Sequence, residues 1–140
     1  SYHSIKQMPE HMEEILKYAR YRNPLNHMTV MFRKDSVLQA GNYRHFPYLE
    51  DYDLWSRMLT QGARFYNIQR VFVRARTGRE LYARRGGGSY CRQYLKLRRQ
   101  QHEEGLTDFK EYQIAKILTV GMTVQPSMLR KKVYQRILRK

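Results

Sequence analysis

Glu50-Asp51-Tyr52-Asp53-Leu54-Trp55 places three carboxylates within four residues, directly against a large apolar pair. A general base must stay ionised, reach a hydroxyl and be held rigidly. Leu54, Trp55, Met58 and Leu59 stand at i, i+1, i+4 and i+5, one face of a helix, with Gly62 where a C-terminal glycine belongs. Glu50, Asp51 and Asp53 then crowd the N-terminus of that helix. Its free N–H groups and dipole favour ionised carboxylates there. The buried Leu54/Trp55 pair holds the tip still, so Trp55 supports the acids from behind. Asp51, with Glu50 beside it, is the candidate base. Ordinary helix capping by acids accounts for the same pattern.

Other residues offer less. Asp51-Tyr52-Asp53 has the D-x-D spacing of a cation site. On a helix, residues two apart point about 200° from one another, so one ion cannot be held by both. Arg76, Arg79, Arg84 and Arg85 lie in or beside a glycine-rich stretch, 77–88, that lacks apolar periodicity. Arginine forks pair bidentately with phosphate oxygens, so this loop can clamp a diphosphate, or simply be solvated. There is no phosphate-loop motif. The five histidines show no metal-ligand spacing with one another or with the single cysteine, Cys91. That lone thiol excludes an internal disulfide and fits a reducing, cytoplasmic setting. His27 stands out because it precedes an apolar run.

The elements that must position these residues follow from periodicity. Residues 5–20 carry a helical pattern, with Pro9 tolerable only in the first turn and Asn23-Pro24 as the stop. Residues 27–33 read as a strand, as do 64–68 and 71–74. Asp35 caps a short helix closed by Gly41, and 42–49 form an aromatic-rich loop. A helix spans 89 to about 104, with Gly105 as its stop. Another starts at Thr107 and buries Phe109, Ile114, Ile117 and Leu118, and a last one opens at Pro126. The pattern implies an α/β or α+β class, of which we take α/β, with too few strands for a free-standing sheet. We divide the chain into residues 1–85 and a basic helical extension, 86–140.

The 140 residues suit one domain, and 41% hydrophobic content suits a packed core. No apolar run is long enough to span a membrane, and no N-terminal signal pattern is visible. The formal net charge of +15 is uneven: residues 51–140 hold twenty Lys/Arg against seven acids. Such a field attracts phosphates. The basic side of 126–140 fits an anionic membrane surface, at the inner face of a plasma membrane. Twelve dispersed tyrosines and the absence of a recognition signature argue against nucleic acid. A non-catalytic basic module binding nucleic acid or another anionic partner is the alternative reading.

Asn23-Pro24-Leu25-Asn26-His27-Met28-Thr29-Val30-Met31-Phe32-Arg33, Gly41-Asn42-Tyr43, Glu50 to Trp55, and Tyr82-Ala83-Arg84-Arg85-Gly86-Gly87 together resemble family 2 glycosyltransferases. The likeness is to bacterial transferases of the amylovoran type, which assemble capsular or exopolysaccharide units on lipid carriers. It implies a GT-A fold, a nucleotide-sugar donor, a saccharide or lipid-linked acceptor, and inversion at the anomeric carbon. It places the base at Asp51 with Glu50 beside it. It places substrate contacts at Asn26, His27, Trp55, Arg76, Tyr82, Arg84 and Arg85. A divalent cation, Mn2+ or Mg2+, is implied as well, although the D-x-D that follows a hydrophobic strand in the family is absent. The resemblance therefore covers only the C-terminal, acceptor-side half of the family's catalytic domain.

Overall fold

The computed structural model describes residues 5–75 and 86–125. In order these form α1 (Met12–Ala19), a 3-10 turn (His27–Thr29), α2 (Lys34–Gln39), α3 (Glu50–Thr60), α4 (Gly88–Glu103) and α5 (Phe109–Val124). Among the described residues there is no strand. The α/β class, and with it the GT-A half-sheet, is thereby corrected to an all-helical arrangement.

The reasons lie in the segments expected as strands. Residues 27–33 open with a tight turn, in which Thr29 donates to the Asn26 carbonyl from both its N–H and its hydroxyl, each at 2.9 Å. Met31 beyond it is 97% exposed, with no sheet face to cover. Residues 64–70 lie beside 8–10, but only Asn67 N–H reaches across to a backbone acceptor, Glu10 O at 3.1 Å. Pro9 has no N–H to return. Side-chain amides take over instead: Asn67 Nδ2 donates to Pro9 O and Pro24 O, and Gln69 Nε2 to Met8 O. One backbone bond is not a ladder. Val71, Phe72 and Val73 remain exposed.

The helices follow their patterns more closely. α1 begins only after Pro9, with Glu13 and Glu14 in its first turn and Lys17 in its last, and buries Ile15 and Ala19. Gly62 and Gly105 take left-handed φ of 85°, where a side chain would be strained, just beyond α3 and α4. Asp108 caps α5 through a reciprocal pair with Glu111.

α3 is the axis of the molecule. Every residue from Tyr52 to Leu59 is buried. Leu54, Trp55 and Met58 pack with Leu25, Val37 and Ala40. Leu59 joins Ile15, Ala19 and Leu106, while Tyr52 joins Phe46, Leu49 and Leu97. Each such large side chain contributes roughly 1.5–3 kcal/mol on burial. The polar residues in this run are satisfied: Asp53 accepts from Arg57 Nε at 3.1 Å and Nη2 at 2.8 Å, and Ser56 Oγ donates to Tyr52 O.

α5 differs from its sequence pattern. It buries Ala115, Thr119 and Thr123, while Phe109, Ile114, Ile117 and Leu118 face outward. Small residues on the buried side leave room for the Arg98 guanidinium of α4, whose Nε donates to Thr119 Oγ1 at 3.3 Å.

Glu104, just past α4, shows what this packing costs. Burial holds its carboxyl above the ordinary value of 4.5, Asp53 adds to the effect, and the Arg44 and Arg57 charges oppose it. A raised folded value means the folded state holds the proton longer. The penalty from this group is therefore absent below 4.5 and grows as pH rises from there through the higher folded value. Glu104→Gln should raise the melting temperature at pH 7 slightly, because solvent screens a half-buried carboxylate. The gain should vanish in acid, as a melting series across pH will show. An equal gain at all pH values would refute the titration argument.

Candidate active site

The acids at the start of α3 have distinct surroundings. Glu50 is exposed and Asp53 is 1% exposed. Asp53 faces inward and is committed to Arg57, whose other N–H groups hold the Ala40 and Asn42 carbonyls. Arg57 thus ties α3 to the loop that carries Tyr43. Asp51 lies between the two acids in exposure. Its Oδ1 accepts from Tyr52 N–H at 2.8 Å and its Oδ2 from Asn23 Nδ2 at 2.9 Å. One oxygen is thereby held by the helix and the other by the turn that follows α1.

Behind this point stands Trp55, fully buried. Ring centroids of His27, Phe32, Tyr43 and Phe65 lie 6.2–6.5 Å from its own. Its indole N–H has no acceptor among the described residues. His27 Nε2 and the Tyr43 hydroxyl share a hydrogen bond of 3.1 Å. Burial, then the nearby Asp51 and Glu50 charges, push the Tyr43 phenol above its usual value, which keeps it a neutral donor. Asn26 lies on the same turn, and its Oδ1 accepts from Lys6 Nζ at 2.6 Å. A shallow, open hollow of about 480 Å³, lined by Tyr43, Arg44, His45, Phe46, Pro47 and Glu50, lies beside the helix tip. Aromatic walls with a carboxylate at one edge suit a sugar ring and its hydroxyls.

The structure brings Asp51, Glu50, Trp55 and His27 into one region and sets Asn26 on its margin. Arg76, Tyr82, Arg84 and Arg85 lie outside the described residues. Two residues that sequence reasoning missed belong with the site, Asn23 and Tyr43. Both stand in the resembling motifs, but no local spacing ties them to Asp51. A divalent cation finds no set of three ligands among the described residues, and Asp53, the inward acid of Asp51-Tyr52-Asp53, is taken by Arg57.

No family model matches the chain, and no solved structure does. Curated bacterial proteins do. The amylovoran biosynthesis glycosyltransferase of Erwinia amylovora is 39% identical over 95 residues, 68% of this chain and 36% of that protein. An uncharacterized glycosyltransferase of Haemophilus influenzae is 32% identical over 98% of this chain and 51% of its own length. The UDP-Gal:alpha-D-GlcNAc-diphosphoundecaprenol beta-1,3-galactosyltransferase of Escherichia coli is 31% identical over 97% of this chain and 49% of its length. The chain therefore spans about half the length, or less, of these relatives, and most or nearly all of it is similar to bacterial glycosyltransferases.

Proposed function

We propose that this chain is the base-carrying part of an inverting family 2 glycosyltransferase of polysaccharide biosynthesis. The donor is a nucleotide sugar and the acceptor a saccharide or lipid-linked saccharide. The similarity to three glycosyltransferases supports the class. The observation that carries the chemistry is Asp51: partly exposed at a rigid helix tip, hydrogen-bonded at both oxygens, and adjoining Glu50 at the edge of an open, partly aromatic hollow.

Asp51 takes the proton of an acceptor hydroxyl. That oxygen attacks the anomeric carbon as the bond to the nucleoside diphosphate breaks, so the configuration inverts. The proton then passes from Asp51 to solvent. Tyr43 and His27 hold the acceptor ring against the base, and the buried Trp55 supports them from behind. The family's divalent cation would assist the leaving diphosphate, but the described residues do not supply its ligands. Every contribution assigned to the described residues lies on the acceptor side.

The test is acceptor-dependent release of nucleoside diphosphate by the full-length encoded polypeptide. The donors are a panel of UDP-sugars, and the acceptor is GlcNAc-diphosphoundecaprenol. Release that rises only when the lipid-linked sugar is added is the expected result. Release without acceptor dependence, or none across the panel with a folded protein, would remove this reading. Saturable binding of anionic partners would then favour the non-catalytic alternative.

A further inference from the structure

From the two bonds on its side chain, we infer that Asn23 is a positioning residue for Asp51, setting the rotation of the carboxylate that takes the acceptor proton. This rests on the reading of Asp51 as the base. An aspartate carboxylate rotates in a broad well about its last torsion. One bond from Tyr52 N–H leaves that rotation loose, and the second, from Asn23 Nδ2 at 2.9 Å, fixes it. Each oxygen accepts one bond, and the carboxylate so held lies near Tyr43.

Asn23 is itself held. Its Oδ1 accepts from Leu25 N–H at 3.3 Å, which sets the amide so that the Nδ2 end faces Asp51. Pro24 restricts the Asn23 backbone to extended geometry, and the Pro24 carbonyl is held by Asn67 Nδ2 at 3.1 Å. Upstream, the Arg20 and Tyr21 carbonyls are held by Arg98. The donor therefore reaches α3 from a separate, braced segment. Simple helix capping needs no such partner, because the helix supplies its own N–H groups. Displacing a reacting group by about 1 Å can cost on the order of 100-fold in rate.

Asn23→Asp separates the positioning role from a structural one. The new carboxylate still accepts from Leu25 N–H, so the turn survives. It replaces a donor with a second acid against Asp51, and two adjoining carboxylates resist joint ionisation. We expect kcat to fall about tenfold or more at neutral pH, with KM for the nucleotide sugar unchanged. The pH dependence of kcat/KM should gain a limb absent from the parent. A role confined to the turn predicts parent-like kcat and pH profile, and that result would overturn the inference. A second measurement needs no activity: the Asn23 side-chain amide signals of the 140-residue chain should shift in Asp51→Ala. Unmoved signals in a folded variant would also overturn it. Asp51→Asn distinguishes the two levels. If that variant keeps its turnover, the base reading and this inference fall together. If it is inactive while folded Asn23→Asp is normal, only the positioning role falls.

Discussion

Asp51→Asn should lower turnover at least about a hundredfold, with affinity for the nucleotide sugar nearly unchanged. The substitution keeps the shape and the bond from Tyr52 N–H. It removes the capacity to take a proton, together with one charge and the second acceptor oxygen that receives the Asn23 amide. Loss of one charge at the α3 N-terminus should cost about 0.3–1 kcal/mol, too little to unfold a helix whose next eight residues are all buried. Rate and melting temperature must be measured on the same preparation. A folded variant with near-parental turnover would end the assignment of Asp51. Glu50, exposed one residue earlier, shares the dipole but none of the bracing. Glu50→Gln should therefore cost far less, and an equal loss would shift the chemistry to the pair.

This contrast shows what was legible in advance. α3 was read from Leu54, Trp55, Met58 and Leu59, since a 3.6-residue period is local information. That local signal also set the acids at its tip. Asn23 could not be found that way, because its partner lies 28 residues away and the contact depends on how two segments meet. The strands failed for a related reason. Val71-Phe72-Val73 has the composition of a strand, but a strand exists only with a partner. Just upstream, residues 64–70 lie beside a segment that contains Pro9 and makes a single backbone-to-backbone bond with them. In α5 the apolar positions implied one buried face and the packing selected another, because Ala115, Thr119 and Thr123 leave space for a guanidinium. Buried polar networks carry no hydrophobic period, so Arg98 and Gln101 gave no signal as core residues.

Arg98 is where the second large effect is expected. It is 3% exposed, and no carboxylate pairs with it among the described residues. Oxygens surround it instead. Nη1 donates to Tyr52 Oη at 2.8 Å, Gln101 Oε1 at 2.9 Å and Arg20 O at 3.4 Å, and Nη2 donates to Tyr21 O. The Tyr52 hydroxyl in turn donates to Ala19 O at 2.6 Å. These carbonyls end α1, where the helix leaves acceptors unpaired and partial negative charge accumulates. The guanidinium also lies 5.4 Å from the ring centroids of both Tyr52 and Tyr94. One cation thus joins the end of α1 to α3 and α5, and it braces both segments that meet at Asn23 and Asp51.

Arg98→Met keeps much of the volume and leaves several buried acceptors unpaired, at ~1–3 kcal/mol each before relaxation. The net loss should be about 3 kcal/mol or more, a large share of the ~5–15 kcal/mol that holds a domain folded. Melting should fall by on the order of 10 °C. Arg98→Lys keeps the charge but cannot span the same acceptors from a single ammonium, so it should fall between. The cost belongs to the stranded partners rather than to the lost cation, and that gives a sharper test. Gln101→Leu removes one stranded acceptor, so Arg98→Met with Gln101→Leu should cost less than the two single changes added together. Gln101 also donates to Ser56 Oγ at 2.8 Å, a bond that the single Gln101→Leu change already removes. Strict additivity in denaturant or thermal unfolding would mean that Arg98 contributes by packing alone. Subadditivity would locate the energy in the network that aligns α1, α3 and α5 behind the acidic helix tip.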